Sequence, residues 1–163
     1  MSKVNRNLII AIALLAIAPF VLYPVFLAKV LCFALFALAF NLLLGYAGIL
    51  SFGHAAFLGT GGYITGWAML NTGMSTELAI LLGTAAGAAL GAIYGKLAIK
   101  REGIYFAMIT LALAQLTFFL YLQAPFTGGE NGMQGIPRGE LFGFIDLTNN
   151  LTMYYVVALI FLF

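Results

Sequence analysis

The sequence predicts an all-α fold, a polytopic bundle of about six transmembrane helices, and three observations lead to that prediction. First, 64% of the 163 residues are hydrophobic and only 7% are charged, whereas a soluble domain carries about 25% charged residues. Second, no charged residue occurs in the stretches 7–28, 30–76, 78–95, 103–129 and 147–163. Third, stretch 30–76 is long enough for two spans and a tight turn, since one span needs about 20 apolar residues.

The first helix is predicted over Leu8–Ala28, with kinks at Pro19 and Pro24 because proline removes a backbone donor. Its basic start resembles a signal peptide, but the apolar run is longer than the usual 7–15 residues of a signal core, so we expect a retained helix. A second helix is predicted from Val30 to the glycine-rich turn at residues 45–48, where a glycine-broken region leads into the third helix.

The remaining helices are predicted from the later apolar runs. Their expected bounds are Ala55–Leu70, Leu78–Ile99, Ile104–Leu122 and Leu151–Phe163, with a polar loop over residues 123–150. The last run would form about 20 Å of helix, whereas the hydrocarbon core is about 30 Å thick. We therefore expect residues 1–163 to form a single transmembrane domain that is incomplete at its C-terminus.

The placement of basic residues predicts a cytoplasmic amino terminus, because cytoplasmic loops carry an excess of Lys and Arg. In that orientation the inner segments hold Lys3, Arg6, Lys96, Lys100 and Arg101, and the outer segments hold Lys29 and Arg138. A net charge of +2 without a basic cluster gives no reason to expect a nucleic-acid partner. The single cysteine, Cys32, supplies neither an internal disulfide nor a metal-site pattern, so no metal or cofactor is predicted.

Glycines recur at every fourth residue of the predicted fourth helix, at Gly83, Gly87, Gly91 and Gly95. Four-residue spacing places them on one helix face. Small residues on such a face allow the backbone of a neighbouring helix to approach closely in lipid. The pattern therefore predicts tight helix packing.

The segment 41–66 is unusually polar and glycine-rich for a region inside a membrane, with seven glycines between residues 45 and 66. Backbone that leaves helical geometry at membrane depth is buried in protein or lines water, and broken helices form substrate sites in many transporters. The segment is either a plain hairpin or part of a substrate path. The residues predicted for the path are Asn41, Gly45, Gly48, Ser51, His54 and Tyr63.

His54 is the only histidine, and it either serves local packing or takes part in the path or its gating. A metal site is not predicted, because zinc needs three or four ligands. Ser51 and His54 do not match a nucleophile elbow, which has a glycine two residues before the serine. No catalytic residue, and hence no enzyme, is predicted.

Two later segments have polar features of their own. Gln115, in the fifth helix, either hydrogen-bonds to another helix or faces the substrate path. The loop that follows is a shaped connector, an ordered outer lid or a docking surface for a partner that delivers substrate. The residues concerned are Thr127, Gly128, Gly129, Asn131 and Gly132. A Walker nucleotide loop is not present, since the Gly-Lys-Ser/Thr ending is missing.

Three stretches occur in the order and spacing of one family: NLLLGYAGILSFGHAAFLGTGGY (41–63), REGIYFAMITLALAQ (101–115) and TGGENGMQGIP (127–137). Together they resemble the permease subunits of ABC importers for branched-chain amino acids, and most of all the longer of the two paired permeases. The related urea and short-chain amide permeases share the first motif, and they remain an alternative.

The resemblance implies a multi-pass subunit of a bacterial or archaeal cytoplasmic membrane. Its implied partners are a second permease subunit, two cytoplasmic ATP-binding subunits and a periplasmic or surface substrate-binding protein. The family's ATPase-coupling loop, which lies in the second half of its longer chains, is not found in residues 1–163. A channel or secondary transporter that uses no ATPase, and a purely structural bundle, are the other interpretations left open.

Overall fold

The computed structural model describes residues 3–48, 50–101 and 103–162, and within them it contains six α-helices. In chain order the elements are α1 Lys3–Val21, α2 Pro24–Leu42, a π-helix Leu43–Ala47, α3 His54–Thr72, α4 Thr76–Ala98, α5 Ile104–Gln123, 3₁₀ turns Pro125–Thr127 and Gly129–Asn131, β1 Glu140–Leu141, β2 Ile145–Asp146 and α6 Asn150–Leu162. The predicted all-α fold is confirmed, because the two short strands pair only with each other in one loop.

The predicted first helix, Leu8–Ala28, is wrong at both ends, and α1 already begins at Lys3. The helix α1 ends at Val21, and Tyr23 is extended, with φ −62° and ψ 122°. A residue before proline is pushed to this conformation by the proline ring. Pro24 then begins α2 at the first helical position, where its missing N–H is not needed. Val30, the predicted start of the second helix, therefore lies inside α2.

The predicted third, fourth, fifth and sixth helices agree with the structure to within two residues at every described end. The predicted end of the sixth helix, Phe163, lies outside the described residues.

The predicted number of about six spans is too high for the part of the chain that the structure describes. Three helical stretches there are long and apolar enough to cross a membrane: Pro24–Tyr46, Thr76–Ala98 and Ile104–Gln123. The 19-residue α3 is rich in glycine and polar residues, which lowers its hydropathy. The apolar helical stretches Ile12–Val21 and Asn150–Leu162 are too short.

The helices α1, α2 and α6 pack together, and we call them the terminal cluster. Its buried residues are Ala28, Leu31, Tyr154 and Ala158, and partly buried apolar side chains of all three helices pack around them. The Tyr154 hydroxyl donates a hydrogen bond to the Leu15 carbonyl oxygen at 2.8 Å. That oxygen lacks its usual helical donor because the residue four positions later, Pro19, has no N–H.

The helices α3, α4 and α5 form a second group, which we call the central cluster. The α3 and α4 backbones meet at Gly83, where an added Cβ would lie 2.5 Å from the Gly61 carbonyl oxygen and would overlap the Thr65 hydroxyl. At Gly87 an added Cβ would lie 3.3 Å from the Phe57 carbonyl oxygen. The described residues leave open space at Gly91 and Gly95. Only half of the glycine face is thus in close contact with α3.

The loop between α5 and α6 packs back onto the central cluster. Met133 and Ile136 lie against Gly66 of α3, where an added Cβ would be 2.8 Å from the Ile136 Cδ1 atom. The backbone N–H of Phe142 donates to the Glu77 carboxylate at the start of α4. These contacts connect the loop to the ends of α3 and α4 on one side of the bundle.

Candidate functional site

The helical path of the chain breaks between α2 and α3. Residues 43–47 form a π-helix, and Gly48 ends it in the left-handed conformation, with φ +64°. Its N–H donates to the Leu44 carbonyl oxygen at 3.1 Å. Glycine accepts positive φ without the steric penalty of a Cβ, and π-helical turns are frequent at functional sites. The glycine-broken region predicted from the sequence therefore lies at residues 43–53.

The end of this break is tucked against α4 and α5. The Phe52 N–H donates to the Thr110 hydroxyl at 3.2 Å, and the Gly53 N–H donates to the buried Ser51 hydroxyl at 3.2 Å. Thr110 lies six residues into α5, about 9 Å along the helix axis. Non-helical backbone is thus held inside the bundle by side-chain hydroxyls, as it must be where water is scarce.

Tyr94 of α4 connects the break to α5. Its ring lies against Gly53, where an added Cβ would be 3.3 Å from the Cδ2 atom. Its hydroxyl is 2.5 Å from the Leu113 carbonyl oxygen and 2.6 Å from the Thr117 hydroxyl. A tyrosine has one hydroxyl proton, which goes to the carbonyl, so Thr117 donates to Tyr94. A hydroxyl–hydroxyl contact between Tyr94 and Thr117 therefore joins α4 to α5.

His54, the first residue of α3, lies between the two clusters. Its ring meets Phe40 of α2 edge-on at 5.3 Å between centroids, Phe36 of α2 at 6.3 Å and Phe57 of α3 at 5.8 Å. The Nδ1 atom is buried without a hydrogen-bond partner among the described residues. The ring of His54 thus packs against aromatic side chains of both α2 and α3.

A cleft of about 270 Å³ lies between α3 and α5. One end lies at Phe52 of the break and the other at Gly129 of the loop after α5. Apart from Tyr63, the lining residues on α3 are small, whereas most of those on α5 are larger. Its other lining residues are Ala55, Ala56, Gly59, Tyr63, Leu111, Ala114, Gln115, Thr117, Phe118, Tyr121 and Leu122. None of these is charged, and the volume is close to the lower limit of small-molecule sites, about 300 Å³.

Aromatic rings and a capping hydroxyl form the loop end of the cleft. Tyr63 and Tyr121 stack with centroids 5.1 Å apart, and the Tyr121 hydroxyl donates to Thr60 at 3.0 Å. The fully buried Thr127 hydroxyl contacts the Tyr121 carbonyl oxygen and lies 2.7 Å from that of Ala124. Carbonyl oxygens at the end of α5 are therefore satisfied by Thr127, the fourth residue of the loop.

The glycines of this loop take conformations that other residues avoid. Gly128, Gly129 and Gly132 have φ of +80°, +59° and +65°, and Gly128 lies against the backbone of Gly132. Asn131 ends the second 3₁₀ turn and is exposed. Within this segment Gly129 lines the cleft. The loop is thus a shaped structure at the cleft entrance.

The residues that the sequence predicts for the path do not all meet. Tyr63 and Gln115 line the cleft, and Ser51 lies next to its Phe52 end. Asn41, Gly45 and Gly48 lie on the exposed side of α2 and the π-helix, away from the cleft. His54 packs among the phenylalanines. The structure thus divides the predicted set into residues at the cleft and residues that do not line it.

Several cleft residues were missed by the sequence reasoning. Gly59 and the α5 residues Leu111, Phe118 and Tyr121 carry no motif of their own. A usable signal was the seven-residue spacing of Thr110 and Thr117, which places two hydroxyls on one face of α5. Within the described residues no group of three or more His, Cys, Asp or Glu side chains is placed to bind a metal.

Comparisons with known proteins give a consistent result. Residues 22–163 match a family model described as branched-chain amino acid transport system / permease component. The high-affinity branched-chain amino acid transport system permease protein LivM of Salmonella typhimurium is 31% identical over 114 residues, and that of Escherichia coli is 30% identical. Each alignment covers 68% of this chain, and the chain spans about a quarter (26%) of the length of these relatives. No solved structure gives a significant match.

Proposed function

The chain belongs to the family of branched-chain amino acid transport system permease components, and we propose that it forms part of the transmembrane path of an ABC importer. The observation that carries this proposal is the family match over residues 22–163, which include the break, the cleft and the loop. The relatives' names describe permeases for branched-chain amino acids. In this proposal the chain itself hydrolyses nothing, and ATPase subunits supply the energy.

The geometry of the central cluster supports a path between α3 and α5. The cleft connects non-helical backbone at Phe52 with the glycine-rich loop at Gly129. Both ends have irregular backbone fixed by hydroxyl groups, from Thr110 and Thr127. Irregular backbone of this kind is found where transporters bind solutes and where one part moves against another.

The exposed side of α2 and the π-helix supports contact with a further subunit. Tyr46 is 91% exposed, and Gly45 and Gly48 have open space around them. Small residues are enriched at helix–helix interfaces in membranes, where they let backbones approach closely. We propose that the second permease subunit packs here. The remaining proposed partners are two cytoplasmic ATP-binding subunits and an external substrate-binding protein.

The proposed orientation has a cytoplasmic amino terminus. Lys96 lies in the last turn of α4, and Lys100 and Arg101 follow it, so one end of the central cluster is basic. The opposite end, with the loop of residues 124–149, carries Arg138 as its one basic residue. Excess basic charge favours the cytoplasmic side. The loop and the loop end of the cleft then face the binding protein.

Transport by the assembled importer tests this proposal. The permease, purified together with a second permease subunit and two ATPase subunits, would be placed in liposomes with a substrate-binding protein. We expect leucine uptake that requires hydrolysable ATP. Uptake that continues with a non-hydrolysable ATP analogue would contradict the ABC mechanism. Uptake of urea or acetamide without leucine would contradict the substrate class.

A further inference from the structure

We propose that the cleft between α3 and α5 receives the aliphatic side chain of the transported amino acid, and that Gly59 limits the size of the side chain admitted. This inference rests on the proposed transport function and names the site and residue that would give it selectivity.

The two walls of the cleft differ in side-chain size. Ala55, Gly59 and Tyr63 repeat at every fourth residue of α3 and therefore share one face of that helix. Leu111 and Phe118, seven residues apart on α5, form the facing wall. Two helices would normally close such a gap with interlocking side chains. Here the small residues on α3 leave about 270 Å³ of space.

Gly59 lies in the middle of the α3 wall and is the position where size is easiest to change. An added Cβ would have no heavy atom within 4 Å, so a methyl group there takes up cleft space without displacing protein. The residue is helical and has no unusual φ, so a larger residue causes no backbone strain. A substitution at Gly59 therefore changes the cleft volume and little else.

The polarity of the cleft favours an aliphatic group over a charged one. Its described lining residues carry no charge, and an unpaired charge in such a place is unfavourable. The Gln115 amide, which has both donor and acceptor atoms, makes no hydrogen bond within the described part of the chain. The Gln115 amide and the stacked ring of Tyr63 are therefore available to the ammonium and carboxylate groups of the transported amino acid. The side chain of that amino acid then lies among the apolar groups of the cleft.

The test compares the uptake of leucine and valine by the complete importer in liposomes. Every variant would use the same binding protein, so the selectivity of that protein cancels when the leucine-to-valine ratio of a variant is divided by that of the wild type. Gly59→Ala should lower the leucine-to-valine ratio, and Gly59→Val should lower it further, to about a tenth of the wild-type ratio. One methylene in an apolar pocket discriminates between substrates by about 10–200-fold. Gly62→Ala is the matched control, since Gly62 is exposed on the same helix, has open space around it and does not line the cleft.

A second variant tests the facing wall in the opposite direction. Leu111→Ala enlarges the cleft and should raise the leucine-to-valine ratio. The proposal is overturned if the ratio stays at the wild-type value in Gly59→Ala and Leu111→Ala importers that assemble normally. It is also overturned if Gly62→Ala shifts the ratio as much as Gly59→Ala. A wild-type importer that carries neither amino acid would instead refute the proposed function.

Discussion

The terminal and central clusters contain three helices each but are held together by different interactions. The terminal cluster packs apolar side chains around Tyr154, whose hydroxyl bonds to the Leu15 carbonyl across two helices. The central cluster brings glycine backbones together and connects its helices through the hydroxyls of Tyr94, Thr117 and Thr110. In lipid, apolar contact alone provides little driving force, so close packing and hydrogen bonds decide association.

The difference indicates that the two clusters have different roles in the protein. The terminal cluster packs mainly apolar side chains and provides a support. The central cluster contains the break, the cleft and, among the described residues, three of the five side-chain hydrogen bonds between α-helices. His54 lies where the two meet, against phenylalanines of α2 and α3. Variants that act on one cluster should therefore leave the other intact.

The largest effect is expected at Gly83. Gly83→Ala places a methyl group against the Gly61 carbonyl and the Thr65 hydroxyl, and backbone atoms cannot move aside as a side chain can. We expect a loss of about 3 kcal/mol in the free energy of unfolding, the upper part of the range for overpacking. Equilibrium unfolding in mixed micelles, followed by the fluorescence of Trp67, the single tryptophan of residues 1–163, would measure it.

The control for this change lies on the same helix face. Gly91→Ala adds the same methyl group where the described residues leave open space, and it should change the unfolding free energy by less than about 1 kcal/mol. Equal losses of unfolding free energy at the two positions would show that the close contact between α3 and α4 does not explain the effect of Gly83→Ala.

Tyr154→Phe should have the second-largest effect. It removes the hydroxyl that satisfies the Leu15 carbonyl, an oxygen that Pro19 leaves without its helical donor. A buried unsatisfied carbonyl costs about 1–3 kcal/mol. Pro19→Ala would restore an N–H for that oxygen, so the cost of Tyr154→Phe should fall in the Pro19→Ala background. A double-mutant cycle on the unfolding free energy measures this coupling, and additive costs would disprove it.

The same substitution in the central cluster should cost less. Tyr94→Phe removes a hydroxyl from the Leu113 carbonyl, but that oxygen keeps its helical donor, and the Thr117 hydroxyl can turn to it from four residues away. We expect a loss of about 0.6 kcal/mol, the average for hydrogen bonds between membrane helices. A cost for Tyr94→Phe above that of Tyr154→Phe would reverse our ranking of the two bonds.

The smallest effect concerns the loop that leads from the central cluster to α6. The Thr148 hydroxyl, and then its backbone N–H, hold the pKa of the Asp146 carboxyl below its ordinary value. Any stability from this contact is present above the ordinary carboxyl pKa and is lost as the pH falls through the lowered one. Thr148→Val should raise the Asp146 pKa part of the way back, as read by NMR titration. An unchanged midpoint would mean that the hydroxyl does not cause the shift.

The sequence predicted the individual helices better than their arrangement. Apolar run lengths located α3, α4 and α5, because each run must bury its backbone polar groups in its own helix. The α1–α2 boundary was missed, since Pro24 was expected to kink a helix and instead begins one. The four-residue spacing of the α4 glycines predicted a shared face but could not show that Gly83 and Gly87 meet the backbone of α3 while Gly91 and Gly95 do not.

The cleft was harder to predict because it depends on which faces of two helices oppose each other. Gln115 and Tyr63 were identified as polar residues in apolar surroundings, and both line the cleft. Asn41 and Gly45 were identified on the same basis, and they face away from it. Gly59 leaves space for the cleft because it has no side chain. One more glycine in a segment already rich in glycine gives no sequence signal for such a cleft.

Our central claim is that the cleft between α3 and α5 is part of a water-accessible path. The direct test is thiol labelling of the complete importer in membranes, with Cys32 replaced by alanine. A cysteine at Ala114, which lines the cleft, should react with a charged methanethiosulfonate reagent, because thiolates form and react only where water reaches. A cysteine at Leu116 should not react. This residue lies on another face of α5 and is 57% exposed in this chain, and we expect lipid or a neighbouring subunit to cover that face in the importer. Equal labelling at both positions, or labelling at Leu116 alone, would contradict the claim.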